Sequence, residues 1–226
     1  MNLQHVETVF QIIVFLFAIS VHESAHAWTA WRCGDPTARM LGRVTLNPIK
    51  HIDPIGTLLL PALAMFYHFP VIGWAKPTPV NPRNFRNVMR SDILTSVAGP
   101  VSNFLVASCA VIGMAIISLS SAEGRLLVSS MAAGSPVDTG SVLVPVTVLL
   151  YDVMFINVLL AVFNLIPVPP LDGSHVLRHL LPEPALRIYD MAGMIGLVLL
   201  FLVGGRVIWF LMAPVMHFFN SLLMRM

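Results

Sequence analysis

The composition of this 226-residue chain excludes an ordinary water-soluble domain, because 57% of its residues are hydrophobic and only 11% are charged, against roughly 25% charged in soluble domains. Apolar runs long enough to cross a bilayer recur from end to end. We predict one membrane domain over residues 1–226, with the lipid bilayer as its surroundings and no nucleic-acid partner.

The first predicted helix, residues 7–31, is apolar over 9–19 and then abruptly polar. It has neither a basic leading region nor a small-residue cleavage site, so we expect it to remain in the mature protein. The loop that follows, 32–54, is basic. Within it, residues 42–47 alternate apolar with polar side chains, which predicts a short strand.

Residues 55–72 are apolar but are flanked on both sides by basic loops, and the second loop, 73–91, contains no acidic residue. Cytoplasmic loops of membrane proteins carry an excess of Lys and Arg, so both loops are predicted to lie in the cytoplasm. Two flanks on the same side imply that 55–72 re-enters the membrane or crosses it incompletely.

The second half of the chain contains further apolar stretches, at 92–119, 142–164, 185–203 and 206–222. The small, polar region 120–140 suits the outer face. Three prolines follow the 142–164 stretch and predict extended backbone there. We expect the last two stretches, divided at Gly204 and Gly205, to form a helical hairpin.

These elements predict an all-α polytopic membrane protein, a bundle of about five to six transmembrane segments with a small re-entrant β-hairpin. We assign its core to residues 7–180 and the C-terminal helical hairpin to 185–222. The amino terminus is predicted outside, with loops 32–54 and 73–91 inside.

The polar end of the first helix contains the sequence His22-Glu23-Ser24-Ala25-His26, which is an HExxH pattern. Residues four apart lie on one face of a helix, so both imidazoles can reach one ion, and zinc suits them. Glu23 can then accept a proton from water as a general base. Ionisable groups in an apolar span are functional candidates, although a helix ending near Ser20 would leave the motif merely at the wet interface.

A hydrolytic zinc site needs a third protein ligand, and we predict Asp172. It follows the proline run, and Gly173 beside it permits a sharp turn. His175 and His179 are rivals four residues apart, but they are predicted to belong to a short interfacial helix.

Taken together, these residues resemble the site-2 protease family of intramembrane zinc metalloproteases, and specifically its minimal bacterial members without a PDZ domain. The family's Asn-x-x-Pro-x-x-x-x-Asp-Gly pattern is similar to the stretch from Asn164 to Gly173. The resemblance covers about residues 20–180. Further elements that carry it are Gly99-Pro100-Val101-Ser102-Asn103, Gly73-Trp74-Ala75-Lys76-Pro77 with Asn81-Pro82, and 47–54.

The resemblance implies one Zn²⁺ per chain on His22, His26 and Asp172, with Glu23 and Asn164 as catalytic residues. Asn164 would help to hold the substrate or the developing oxyanion. The family's polypeptide-binding hairpin would map onto residues 42–75, where an extended substrate could add as a strand. The substrate-binding residues implied in this way are Val44, Thr45, Leu46, Asn47, Gly99 and Asn103.

The resemblance also implies the biological setting. The substrates would be transmembrane proteins already shortened by another protease, in the bacterial cytoplasmic (inner) membrane, with the active site toward the cytoplasm. The region 120–140 is too short for a PDZ module. The oligomeric state is left open.

Two other interpretations use the same residues. A multi-span zinc hydrolase acting on prenylated proteins also uses HExxH but would want a glutamate ligand on a later helix, and Glu123 and Glu183 lie outside the predicted spans. A non-catalytic metal transporter or scaffold could use the polar residues for ion passage.

Overall fold

The computed structural model describes residues 3–59 and 75–226, and within these ranges it is helical, with no β-strand. Short 3₁₀ turns at Pro48–Lys50 and Pro82–Asn84 and a π-helical segment at Pro54–Leu59 lie between the longer elements. The all-α prediction is confirmed for the described residues. Their α-helices are α1 (Leu3–Arg32), α2 (Thr37–Met40), α3 (Val88–Ser120), α4 (Ala122–Ala132), α5 (Leu143–Asn164), α6 (Asp172–Arg178) and α7 (Glu183–Met224).

Four described segments are long and apolar enough to cross a membrane: Phe10–Arg32, Val88–Ser120, Leu143–Asn164 and Gly205–Met224. Large apolar side chains stand exposed along them, which a protein surrounded by water would rarely tolerate on this scale. The protein is therefore an integral membrane protein. The predicted total of five to six spans stays a prediction, since most of 55–72 lies outside the described residues. Examples of the exposed side chains are Ile12, Ile13, Leu105, Ile112, Ile116, Leu119, Trp209 and Phe210.

The strand predicted over 42–47 is wrong, because this stretch consists of turns and irregular backbone. The carbonyl oxygen of Thr45 accepts hydrogen bonds from the Ser24 hydroxyl and from Nε2 of His51. Two side chains thus provide the hydrogen bonds that the Thr45 carbonyl would receive from a partner strand in a sheet. The predicted β-hairpin over 42–75 has no strand in its described part, and residues 60–74 lie outside the described residues.

The C-terminal hairpin predicted over 185–222 is one continuous helix, α7, which runs through Gly204 and Gly205. Each glycine costs a helix about 1 kcal/mol relative to alanine. Breaking the helix within hydrocarbon costs more, since exposed backbone groups find no water there. The small, polar region 120–140, predicted on the outer face, contains α4, whose first turn is capped by Ser121 accepting the Gly124 N–H at 2.9 Å.

Backbone contacts divide the chain into two compact units. Unit 1 consists of Met1–Ala18 and Pro100–Met226, and unit 2 consists of Ile19–Gly99. That the chain acts as one membrane domain stays a prediction.

Unit 1 has an apolar core between α3, α4, α5 and α7, centred on the fully buried side chains Met114, Met154 and Met212. Two buried asparagines also join α3 to α5 in this unit. Nδ2 of Asn103 donates to Oδ1 of Asn157 at 2.7 Å. Buried amides in a bundle must be paired in this way, because an unpaired one is costly in an apolar interior.

Unit 2 contains the second half of α1, α2, the first turns of α3 and the irregular segments between them. Residues 75–87 carry few backbone pairs of their own and are held by other parts of this unit. The N–H of Lys76 donates to the His51 carbonyl at 2.9 Å, and the N–H of Arg86 donates to the Cys33 carbonyl at 3.1 Å. Between them, the N–H of Asn81 donates to the Asp35 carboxylate at 2.7 Å.

Candidate metal centre

His22 and His26 lie one turn apart on α1, and both side chains are buried. Their ring centroids are 4.6 Å apart and their planes are nearly perpendicular, at 81°. Helical periodicity alone explains the shared face. The burial means that the polar ring atoms must be satisfied inside the protein.

Gly99 of α3 shows where the two rings point. A Cβ atom built on this glycine would lie 2.6 Å from Nε2 of His22 and closer still to Nε2 of His26. Both Nε2 atoms therefore converge on one small space that any larger residue at position 99 would fill. Gly99 therefore leaves room for the two imidazoles, and its contact with substrate stays a prediction.

The carbonyl oxygen of Thr95, one turn before Gly99 on α3, lies 2.6 Å from Nδ1 of His26. A carbonyl can only accept, so Nδ1 carries a proton, and in the neutral ring Nε2 is then the atom that can bind a metal. This second hydrogen bond is the usual support of a metal-binding histidine, since it fixes both the tautomer and the ring orientation. A pair of neutral imidazoles aimed at one point is a donor set that zinc prefers.

Glu23 is half-buried, and its carboxylate is held by a residue far along the chain, Thr78. The N–H of Thr78 donates to Oε2 of Glu23 at 2.9 Å, and the Thr78 hydroxyl lies 2.7 Å from the same oxygen. The hydroxyl is also 3.1 Å from the backbone carbonyl of Glu23. The Glu23 carboxylate thus has a defined orientation.

Asp35 anchors the segment that contains Thr78. Its buried carboxylate accepts hydrogen bonds from the backbone N–H of Asn81, the side-chain amide of Asn84, and the hydroxyl and N–H of Thr37. Burial by itself would raise the pKa of Asp35, but these hydrogen bonds outweigh it and hold the pKa below its usual value. The carboxylate therefore stays ionised and acts as a structural anchor.

The residues predicted to bind substrate over 44–47 lie in unit 2 on the irregular segment after α2. Val44 and Leu46 are exposed, whereas the carbonyl of Thr45 is held by Ser24 of α1. Oδ1 of Asn47 accepts the N–H of Ile49 and caps the following turn. The exposed apolar pair thus flanks a residue tied to the HExxH helix, and their contact with substrate stays a prediction.

The other predicted site residues belong to unit 1. Asn164 is the last residue of α5, and its Nδ2 donates to the Leu160 carbonyl at 2.9 Å. Asp172 is the first residue of α6 and is half-buried. Asn103 is fully buried and donates to Asn157 and to the Ala18 carbonyl, which favours a role in packing helices together.

Gly173 and α7 fix the backbone around Asp172 within unit 1. A Cβ on Gly173 would lie 2.9 Å from the Ile166 carbonyl oxygen and closer to that of Leu165, so only glycine fits there. The Tyr189 hydroxyl of α7 donates to the Pro167 carbonyl at 3.0 Å. The backbone of the proline run is therefore held in place, and a fixed backbone is needed to position the Asp172 carboxylate accurately. His175 lies in a short helix, α6, as predicted, whereas His179 is the residue that follows this helix.

Sequence reasoning missed Thr78 and Thr95 as partners of the site. Thr95 supplies only a carbonyl, so its identity carries no signal. Thr78 does carry a local signal. In the run Pro77-Thr78-Pro79 it is the single residue with a backbone N–H, which marks it as the hydrogen-bond donor of this run.

Apolar spanning helices together with a buried HExxH pair define an integral membrane protein with a metallopeptidase-type centre. The chain belongs to peptidase family M50, the site-2 proteases, whose sequence profile matches residues 10–203. It is a zinc metalloprotease of this kind.

Two curated bacterial relatives bear the same kind of name. The chain is 36% identical over 209 residues to the "Putative zinc metalloprotease YwhC" of Bacillus subtilis (strain 168), covering 88% of this chain and 83% of the relative. It is 31% identical over 203 residues to the "Putative zinc metalloprotease Rip2" of Mycobacterium tuberculosis (strain H37Rv), covering 87% and 68% respectively. No solved structure matches this one significantly.

Proposed function

We propose that this protease hydrolyses peptide bonds within or near transmembrane segments of other membrane proteins, with one Zn²⁺ per chain. His22, His26 and Asp172 are the proposed ligands, and Glu23 is the proposed general base. The observation that carries the proposal is that two buried imidazoles of an apolar helix point their Nε2 atoms at one space, while Glu23 of the same motif has an oriented carboxylate. Such a group of ionisable residues in a spanning helix is costly unless it serves a function.

The third ligand is proposed to come from unit 1, because two carboxylates of unit 2, those of Asp35 and Asp53, already accept hydrogen bonds within that unit. The carboxylate of Asp35 accepts four hydrogen bonds, and Oδ1 of Asp53 accepts the N–H groups of Ile55 and Gly56. Asp172 stands in the pattern that resembles the family's second motif, within the matched residues 10–203.

The residues of the chain divide the chemistry between them. Zinc, when bound, polarises a carbonyl and makes water acidic enough to react near neutral pH. Glu23 accepts the proton of the attacking water and passes it to the leaving amine. The Nδ2 group of Asn164, which has a second hydrogen besides the one given to Leu160, donates to the charge that develops on the scissile carbonyl oxygen.

The substrate must be locally unwound, because the peptide bonds of a helix are shielded and lipid penalises unpaired amides. Exposed Val44 and Leu46 offer apolar contacts to such a segment next to the HExxH helix. Substrates of this kind are single-span proteins that another protease has already shortened.

We place the protein in the bacterial cytoplasmic (inner) membrane with its site toward the cytoplasm. Eight of the 13 basic residues lie in 32–54 and 75–91, and such loops face the cytoplasm. Single cysteines introduced between 76 and 90 should be labelled from the cytoplasmic side of sealed vesicles. Labelling only from the outer side would contradict this orientation.

The assignment of Asp172 is tested by Asp172→Ala, which should lose bound zinc and cleavage together, because a hydrolytic zinc site needs three protein ligands. Zinc content of purified protein and cleavage of a test transmembrane substrate are the two measurements. The matched control is Asp190→Ala, which removes an exposed carboxylate of unit 1 that pairs with Arg178 at 3.0 Å. A full zinc content in Asp172→Ala would contradict the assignment.

A further inference from the structure

We propose that Thr78 is a positioning residue for Glu23, and that it assigns proton acceptance to one carboxylate atom, Oε1. The inference rests on the proposed role of Glu23 as general base. It adds a residue outside the HExxH motif and a division of labour between the two carboxylate oxygens.

The first support is the pattern of hydrogen bonds at the carboxylate. Among the described residues, every hydrogen bond to the Glu23 carboxylate is given to Oε2, and both come from Thr78. A carboxylate oxygen offers about two lone-pair sites. The Thr78 hydroxyl lies closer to Oε2, at 2.7 Å, than to the Glu23 backbone carbonyl, at 3.1 Å. With the N–H and the O–H of Thr78 both directed at Oε2, a proton taken from water goes to Oε1.

The second support is the local sequence around Thr78. Pro77 and Pro79 have no N–H, and a residue that precedes proline is confined to extended backbone. The run Pro77-Thr78-Pro79 therefore presents one backbone donor, on a stiff extended segment, and this donor points at Glu23. Such preorganisation lowers the cost of orienting a catalytic group at the moment of reaction.

The third support is that the segment does not need Thr78 to stay in place. Lys76, Asn81 and Arg86 anchor it to His51, Asp35 and Cys33 through backbone N–H groups. The two hydrogen bonds of Thr78 are additional to these anchors and end on the carboxylate of the proposed base. A role in orienting that carboxylate explains them, whereas loop anchoring is already provided.

The kinetic test compares Thr78→Val, which removes only the hydroxyl donor, with Thr78→Ser, which keeps it. Without this hydroxyl, the Glu23 carboxylate is oriented by one hydrogen bond instead of two. Because hydrogen bonds to charged groups are strong, we expect the loss of this orientation to lower kcat roughly ten-fold or more. KM and zinc content should stay at the wild-type values, and Thr78→Ser should recover most of kcat. The matched control is Thr139→Val, which removes a threonine hydroxyl that donates to another glutamate, Glu123, at 2.6 Å.

Amide hydrogen exchange gives a readout that does not depend on activity. Within residues 77–79 the only exchangeable backbone hydrogen is that of Thr78, so its protection can be followed alone. It should exchange faster in Glu23→Ala than in the wild type. This measurement also stands if Thr78→Val fails to accumulate.

The outcomes separate this inference from the proposed function. Unchanged or raised kcat in Thr78→Val, loss of zinc in that variant, or equal exchange at Thr78 in wild type and Glu23→Ala would overturn the positioning role. Glu23→Gln is measured in parallel. If Glu23→Gln keeps full cleavage, the proposed general base itself is wrong, and the positioning role is overturned with it.

Discussion

Glu23→Gln should keep zinc at the wild-type level and lose cleavage of a transmembrane substrate by roughly a hundred-fold to ten-thousand-fold, the usual contribution of a general base. The zinc should stay because Glu23 is not a proposed ligand, and the amide oxygen can still accept from Thr78. Cleavage should be lost because an amide cannot take a proton from water at neutral pH. Zinc content and initial cleavage rates measured on the same preparations check the prediction.

Glu123→Gln is the matched control for this change, since Glu123 also accepts a threonine hydroxyl but lies in α4 outside the motif. It should keep both zinc and cleavage. Cleavage by Glu23→Gln within a few-fold of wild type would rule out the proposed base. A variant that lost its zinc would instead show that Glu23 helps to hold the ion.

Gly99→Ala should remove zinc binding, because its new Cβ would occupy the space where the two imidazoles converge. The Cβ would lie 2.6 Å from Nε2 of His22 and nearer to that of His26. Neither ring can retreat easily, since both are buried and His26 is tied to the Thr95 carbonyl. Disturbing only the support of a metal ligand typically costs about 10–100-fold in affinity, so direct obstruction should cost at least that much.

Gly205→Ala is the matched control, because Gly205 also lies within a helix, α7, and a Cβ there meets nothing within 4 Å. Alanine is the better helix former by about 1 kcal/mol, so neither variant should weaken its helix. Competition with a chelator of known affinity measures zinc binding in both. Wild-type affinity in Gly99→Ala would contradict the proposed position of the ion.

The predicted fold was most accurate where the sequence pattern was compatible with only one type of secondary structure. Long apolar stretches became the helices α3 and α5, whose ends lie within a few residues of the predicted ones. The prediction failed where side chains from outside the alternating stretch decided how its backbone was paired. The alternation at 42–47 is a strand pattern, yet Ser24 and His51 satisfy the Thr45 carbonyl, so no strand forms in the described part.

The candidate site shows the same division. The four-residue step from His22 to His26 determines that the imidazoles share a helix face, whatever surrounds them. No local pattern can reveal that Gly99 leaves the space for them, that Thr95 sets the tautomer of His26, or that Thr78 holds Glu23. These contacts join residues 55 to 77 positions apart.

The sequence by itself determined that this protein lives in a membrane and carries a histidine pair with a carboxylate, since composition and helical periodicity are local properties. Only the tertiary structure decided which atoms are oriented and how. Orientation depends on hydrogen bonds and close approaches between segments that the chain order keeps apart. The direction of the Glu23 carboxylate is therefore set by a threonine in a proline-rich segment, and the space in front of the two imidazoles is set by a glycine on another helix.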